Sequence, residues 1–155
     1  MAGVMQHNGD AIMILPITLV AAGAAALINL WLAIRVGQKR IAGKVSIGDG
    51  GHPPLIARMR AHSNFSEYTP YFLILVALIE MAVGTSTWLW VVVALYLVAR
   101  VAHGLGMDMT EGQSKLRGVG ILITMVVLAG LALYALYIPY ISRAEVTATE
   151  VIQAG

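Results

Sequence analysis

Apolar side chains dominate four stretches of the chain, about Ala11–Val36, Pro54–Val83, Ser86–Met107 and Lys115–Ile141, and polar residues collect between them. A bilayer core about 30 Å thick is crossed by about 20 helical residues, so each stretch is long enough to span it. None shows the alternation of period two that a barrel strand would need. Within lipid every backbone polar group has to find an internal partner, which leaves helices. The links "GQKRIAGKVSIGDGGHP", "GTST" and "DMTEGQ" are short, and short links make neighbouring spans antiparallel. The pattern predicts an all-α membrane protein, one domain over 1–155 built as a four-helix up-down bundle, with 142–155 as a short tail.

The polar positions that break the pattern are ordered. Arg60, Asn64, Glu67 and Tyr71 in the second span are four, three and four residues apart, which places them on one helix face. Tyr96, Arg100, His103 and Met107 do the same in the third span. At 1.5 Å rise per residue, Glu67 lies about 25 Å from the far end of its span and Arg100 about 21 Å from the far end of its own. The two charges are therefore at similar depth, and ionisable groups there cost at least about 2.5 kcal/mol each unless paired or wet. A Glu67–Arg100 contact is expected, within one bundle or between neighbouring subunits. Arg117 opens the fourth span at the same end. Six such groups, Arg60, Asn64, Glu67, Arg100, His103 and Arg117, exceed what bundle packing requires. Arginines grip carboxylates bidentately and Glu67 suits an ammonium, so a zwitterionic peptide with two carboxylates fits the inventory.

Composition agrees with the membrane reading. Of 155 residues 59% are hydrophobic and 12% charged, half the share of an average soluble domain, and mean hydropathy is +0.80. There is no cysteine, which excludes disulfides, thiolate metal sites and a cysteine nucleophile, so a thiol has to arrive with a ligand. The net charge of +2 is small and its basic residues form no run suited to nucleic acid. The N-terminus lacks lysine and arginine, and the apolar run after it is too long for a signal-peptide core, so it reads as a retained span. All basic residues except Arg143 lie around the first and third links. The positive-inside rule then puts those links and the site in the cytoplasm, with both termini outside.

Other features point to structure. Arg35, Lys39, Lys44 and Arg58 read as snorkelling anchors, Asn29 as a helix–helix hydrogen bond, and Glu80 as an interfacial residue. His62 faces away from the Arg60–Glu67 stripe, where capping or an inter-subunit contact is as reasonable as a ligand role. His62 and His103 could in principle clasp a haem, but two lone histidines make no haem motif, and "GDGGHPP" lacks the helix start of a nucleotide loop, although Asp49 in it could reach a cytoplasmic site. The runs "AAGAAAL" and "GVG" permit close helix approach.

"GDGGHPPL", "RMRAHSNFSEYTP", "ARVAHGLG" and "LRGVGILIT", in that order on those spans, resemble the bacterial branch of the MAPEG family, the membrane-associated proteins in eicosanoid and glutathione metabolism. The resemblance covers roughly residues 11 to 141. It implies a homotrimer with glutathione bound between subunits near the cytoplasmic face. Carried over, Arg40, Arg60, Asn64, Glu67, Arg100 and His103 would contact glutathione, and Arg117 would activate its sulfur. A free thiol with a pKa of about 8.5 is mostly protonated at neutral pH, and an adjacent cation favours the thiolate.

Three positions depart from the eicosanoid enzymes: Gly118 replaces a serine, Ile121 a tyrosine, and Met107 a glutathione-contacting tyrosine. They argue against a prostaglandin or leukotriene reaction. The expectation is an inner-membrane glutathione transferase or glutathione-dependent peroxidase acting on hydrophobic electrophiles or lipid hydroperoxides. The alternative is a non-catalytic MAPEG-fold protein, bound to membrane lipid or to a membrane-protein partner as an accessory subunit. A small efflux transporter would need an acidic residue in the first span, which has none after Asp10.

Overall fold

The computed structural model describes residues 14–108 and 114–154. Residues 11–13 of the expected first span, the link at 109–113, and the side chains beyond Tyr140, Arg143 among them, lie outside the described residues. Four helices make up the fold: α1 (Pro16–Gly43), α2 (Pro53–Val83), α3 (Thr87–Gly106) and α4 (Lys115–Ala154). Each contains a stretch long and apolar enough to cross a membrane. In α4 that stretch ends at Tyr140, and the helix continues into the expected tail as far as Ala154.

The helices pack principally in two pairs, α1 with α2 and α3 with α4. Both α2 and α3 also touch each other across the middle, while α1 and α4 occupy opposite corners without contact among the described residues. Buried positions follow helical spacing. In α3 they include Leu89, Val93, Tyr96, Arg100 and His103, and in α2 Ala61, Phe65, Thr69, Phe72, Val76 and Ile79. Phe72 and Tyr96 stack with ring centroids 3.6 Å apart, and the Tyr96 hydroxyl meets Thr69 Oγ1 at 3.2 Å. Between the helices the buried apolar residues form two clusters, a larger one around Phe72, Val93 and Tyr96 and a smaller one around Leu32 and Phe65, with Leu73 and Leu97 packed against both.

The far end of the bundle is organised by Glu80. α1 begins at Pro16 with Leu15 before it and no side-chain cap of its own. Its orphan amides are taken by a residue of α2. Glu80 Oε1 accepts from the Ile17 N–H at 3.0 Å, and Oε2 from the Thr18 N–H and hydroxyl, both at 2.8 Å. Thr85 Oγ1 donates to Oε1 at 3.0 Å. A carboxylate at a helix N-terminus satisfies donors that have no intrahelical partner and complements the helix dipole. Glu80 is 2% exposed, a buried inter-helix cap rather than the interfacial residue expected.

At the other end Lys44 takes the left-handed conformation (φ 53°) and its N–H returns to Arg40 and Ile41. The Asp49 carboxylate accepts from the Gly51 N–H at 2.9 Å, so it closes a turn. Gly50, at φ 58°, passes so close to Val45 that a Cβ would sit 2.8 Å from Cγ2, and only glycine fits there.

Arg35 and Arg58 are not free anchors. Both pair with Asp108, Arg35 also donates to the Gly104 carbonyl at 3.1 Å, and Arg58 donates to the Arg35 carbonyl at 3.0 Å. One carboxylate thus ties α1, α2 and the end of α3 together. Between α1 and α2 in mid-span, His62 Nε2 lies 2.9 Å from Asn29 Oδ1, the helix–helix bond expected for Asn29. Such bonds average about 0.6 kcal/mol in membranes. A double-mutant cycle of Asn29→Ala and His62→Ala in detergent is expected to return a coupling of that order, and a coupling indistinguishable from zero would show the bond to be incidental.

Candidate functional site

Nearer the loop end, α2 and α3 enclose a polar cavity of about 190 Å3 lined by Arg60, Ser63, Asn64, Glu67, His103 and Met107. Four of the residues expected in a site are in this wall: Arg60, Asn64, Glu67 and His103. The helical stripes explain how they meet. The α3 stripe points into the bundle, so Arg100 is 1% exposed and His103 5%. The α2 stripe runs along the rim of the buried face, so Asn64 is half-buried while Arg60, Ser63 and Glu67 are exposed.

Arg100 lies behind the cavity wall. Its Nη2 donates to Asn64 Oδ1 at 2.8 Å and its Nη1 to Thr124 Oγ1 at 3.4 Å, and the guanidinium stands 5.6 Å from the centroid of the Phe65 ring. Thr124 in turn donates to the Gly120 carbonyl at 2.8 Å. None of these partners is an anion, and the buried Nε–H has no acceptor.

The Glu67–Arg100 pair does not form within the chain. Glu67 Oε1 instead accepts from Ser63 Oγ at 2.8 Å. Glu67 follows Asn64 by three residues, and three steps of a 3.6-residue helix fall about 60° short of a full turn. That rotation carries its carboxylate away from Arg100 and onto the side of Ser63. Depth along a span fixes only one of the two coordinates that a contact needs.

The two outer candidates sit differently. His103 Nδ1 lies 3.2 Å from the backbone carbonyl of Arg117, which ties the start of α4 to a residue of the cavity wall, while the Arg117 side chain is exposed and does not line the cavity within one chain. Arg40 is turned to the first loop. Its Nη1 donates to the Gly48 carbonyl at 2.7 Å and its Nη2 approaches the Met59 sulfur at 3.6 Å, and it does not line the cavity within one chain. Residues that the sequence did not single out are Ser63, which holds Glu67, and Thr124, which holds Arg100. Ser63 was legible at i–4 from Glu67. Thr124 was not, because its partner is on another helix. Among the described residues no three His, Asp or Glu side chains gather as a metal site would require.

Chemically the cavity lining offers one guanidinium, a hydroxyl, an amide, an imidazole and one carboxylate at the edge of an apolar bundle, with the Arg100 guanidinium behind its wall. It suits a polar molecule with more anionic than cationic groups. Fold and cavity together define a four-span membrane protein with a half-open polar pocket near one end of the bundle. The model of the MAPEG family matches residues 18–137, and the chain belongs to that family.

Similarity also extends to the protein called inner membrane protein YecN in Escherichia coli strain K12, with 32% identity over 83 residues, or 53% of this chain and 63% of that one. The protein of the same name in Escherichia coli O6:H1 matches to the same extent. The matched region therefore spans 63% of the length of these curated relatives.

Proposed function

We propose that this protein is a glutathione transferase or glutathione-dependent peroxidase of the bacterial inner membrane, acting on hydrophobic electrophiles or lipid hydroperoxides. The observation that carries the reading is Arg100. A fully buried guanidinium in a membrane span has Asn64 and Thr124 as partners and no anion, beside a cavity open to an anionic ligand. Buried charges are stable only when paired, and a carboxylate of glutathione beside Asn64, which the Arg100 guanidinium holds, would bring a counter-charge to that wall. Arg60 and His103 add donors, Asn64 orients the peptide, and Glu67 receives its ammonium. Arg40 would close the site from the first loop.

Bound glutathione supplies a thiol that reacts as the thiolate. Arg117, exposed at the start of α4, would be the cation that favours that form. Its exposure leaves it free to meet a substrate arriving from lipid.

The same face supports a homotrimer. Arg60, Ser63 and Glu67 are exposed on α2 in the isolated bundle, where charges facing lipid are costly. Neighbouring copies covering that face would enlarge the small cavity to the size of a tripeptide. The relatives' name and the basic residues around the first and third links support an inner-membrane position with both termini extracytoplasmic and the site toward the cytosol.

The test is the ultraviolet thiolate absorbance of glutathione added to the purified protein. Wild type is expected to develop the band and Arg117→Ala to lose it while still binding glutathione in calorimetry. Absence of both band and binding in wild type would rule out the enzyme. Binding without a band would favour the second reading, a non-catalytic lipid-binding or accessory subunit. That reading is supported by Gly118 and Ile121, which offer no hydroxyl to a sulfur beside Arg117.

A further inference from the structure

A second polar cavity, of about 290 Å3, lies at the same end of the bundle and shares no residue with the first. Lys39, Pro54, Ala57, Arg58 and Asp108 line it. Arg58 and Arg35 already share the Asp108 carboxylate, so that acid is neutralised and the lining is net positive. Arg58 is also held in place through the Arg35 carbonyl and Gln38 Oε1. The ammonium of Lys39, by contrast, has no hydrogen bond or ion pair among the described residues. An oriented guanidinium and an unpaired ammonium on an apolar floor of Pro54 and Ala57 make an anion site.

Depth decides which anion. α1 has 28 residues, about 42 Å at 1.5 Å per residue, against a hydrocarbon core of about 30 Å. Lys39 lies about 35 Å along the axis from Pro16, beyond the hydrocarbon and level with lipid phosphates. Ile41 is 82% exposed and Ile47 90% exposed, on either side of the exposed Lys44. Isoleucines interleaved with lysines are what a helix end set in the interface presents, with methyl groups at the acyl boundary and ammonium groups at the phosphates. A soluble anion would leave those isoleucines without a role.

We propose that the Lys39–Arg58 cavity binds the phosphate of an anionic phospholipid headgroup, with Ile41 and Ile47 entering the same interfacial layer. Basic pockets between spans are general headgroup sites in membrane proteins. The site does not depend on the glutathione reading, since none of its residues lines the first cavity.

The experiment uses full-length protein in bilayers of equal phosphatidylcholine and phosphatidylglycerol, with lipids that remain bound identified by native mass spectrometry. Wild type is expected to retain phosphatidylglycerol preferentially. Lys39→Gln is expected to lower that preference about fivefold, the worth of one interfacial cation. Lys39→Arg should restore it, and Lys115→Gln, at the same end but outside the cavity, should leave it intact. No preference in wild type, or an unchanged preference in Lys39→Gln, overturns the proposal. Displacement of phosphatidylglycerol by millimolar inorganic phosphate would overturn it as well, by showing a site for the free anion. Because the wild-type measurements stand alone, a variant that fails to fold leaves the proposal testable.

Discussion

Replacing Glu80 by alanine is expected to destabilise the bundle by about 3 kcal/mol, the largest single-residue effect outside the hydrophobic core. The carboxylate accepts from two amides of the first turn of α1 and from two threonine hydroxyls. Losing it strands the Ile17 and Thr18 N–H groups at a buried helix start. Each unsatisfied buried donor costs about 1–3 kcal/mol, while the freed hydroxyls can turn to other acceptors. Glu80→Gln keeps the shape, but its single carbonyl oxygen can serve only one of the two amides while its NH2 faces the other, and the charge that complements the α1 dipole is lost, so a loss of about 2 kcal/mol, between wild type and Glu80→Ala, is expected. Thermal unfolding in detergent ranks the three proteins, and hydrogen exchange locates the damage. Ile17 and Thr18 should lose protection in Glu80→Ala while the middle of α2 does not. Equal stability of wild type and Glu80→Ala would mean that other groups cap α1 and that the carboxylate is incidental.

Two glycines in "RGVG" give the second large effect, with opposite signs. A Cβ on Gly120 would lie 2.7 Å from the Ala99 carbonyl oxygen and 2.8 Å from both the backbone N and the Cβ of His103. Two of those three atoms are backbone and cannot rotate away, so Gly120→Ala has to separate α3 from α4. Overpacking of this kind costs about 1–3 kcal/mol. It also moves His103, which lines the polar cavity and bonds to the Arg117 carbonyl, so ligand binding should fall together with stability. A Cβ on Gly118 meets nothing within 4 Å. Gly118→Ala should therefore gain most of the helix-propensity difference, up to about 1 kcal/mol. If both substitutions behaved alike, the seam between α3 and α4 would not run through Gly120.

The candidate site was partly legible in the chain and partly not, for reasons that particular residues make plain. Arg100 and His103 were readable because they share a helical stripe with Tyr96, and a stripe is a property of one helix. Arg60, Asn64 and Glu67 were readable for the same reason. Their partners were not, because rotation between helices has no trace in spacing. Arg100 met Asn64 in place of Glu67, and Thr124 came from a fourth helix. Arg35 and Arg58 looked like anchors until Asp108 was seen between them, with 73 residues separating it from Arg35 and 50 from Arg58.

What the sequence determined by itself is what lipid imposes along one dimension: four helical spans joined by short links, the helical stripes of polar residues on them, and the family resemblance in those polar motifs. These follow because hydrocarbon demands about 20 apolar residues per crossing and internally satisfied backbone. Tertiary structure alone decided which helices touch, that Glu80 caps α1, that Gly120 and not Gly118 sits in a helix seam, and that Arg100 is buried without an anion. Those outcomes depend on the rotation and approach of whole helices. They are set by the sum of many weak packing contacts, none of which is written at any single position.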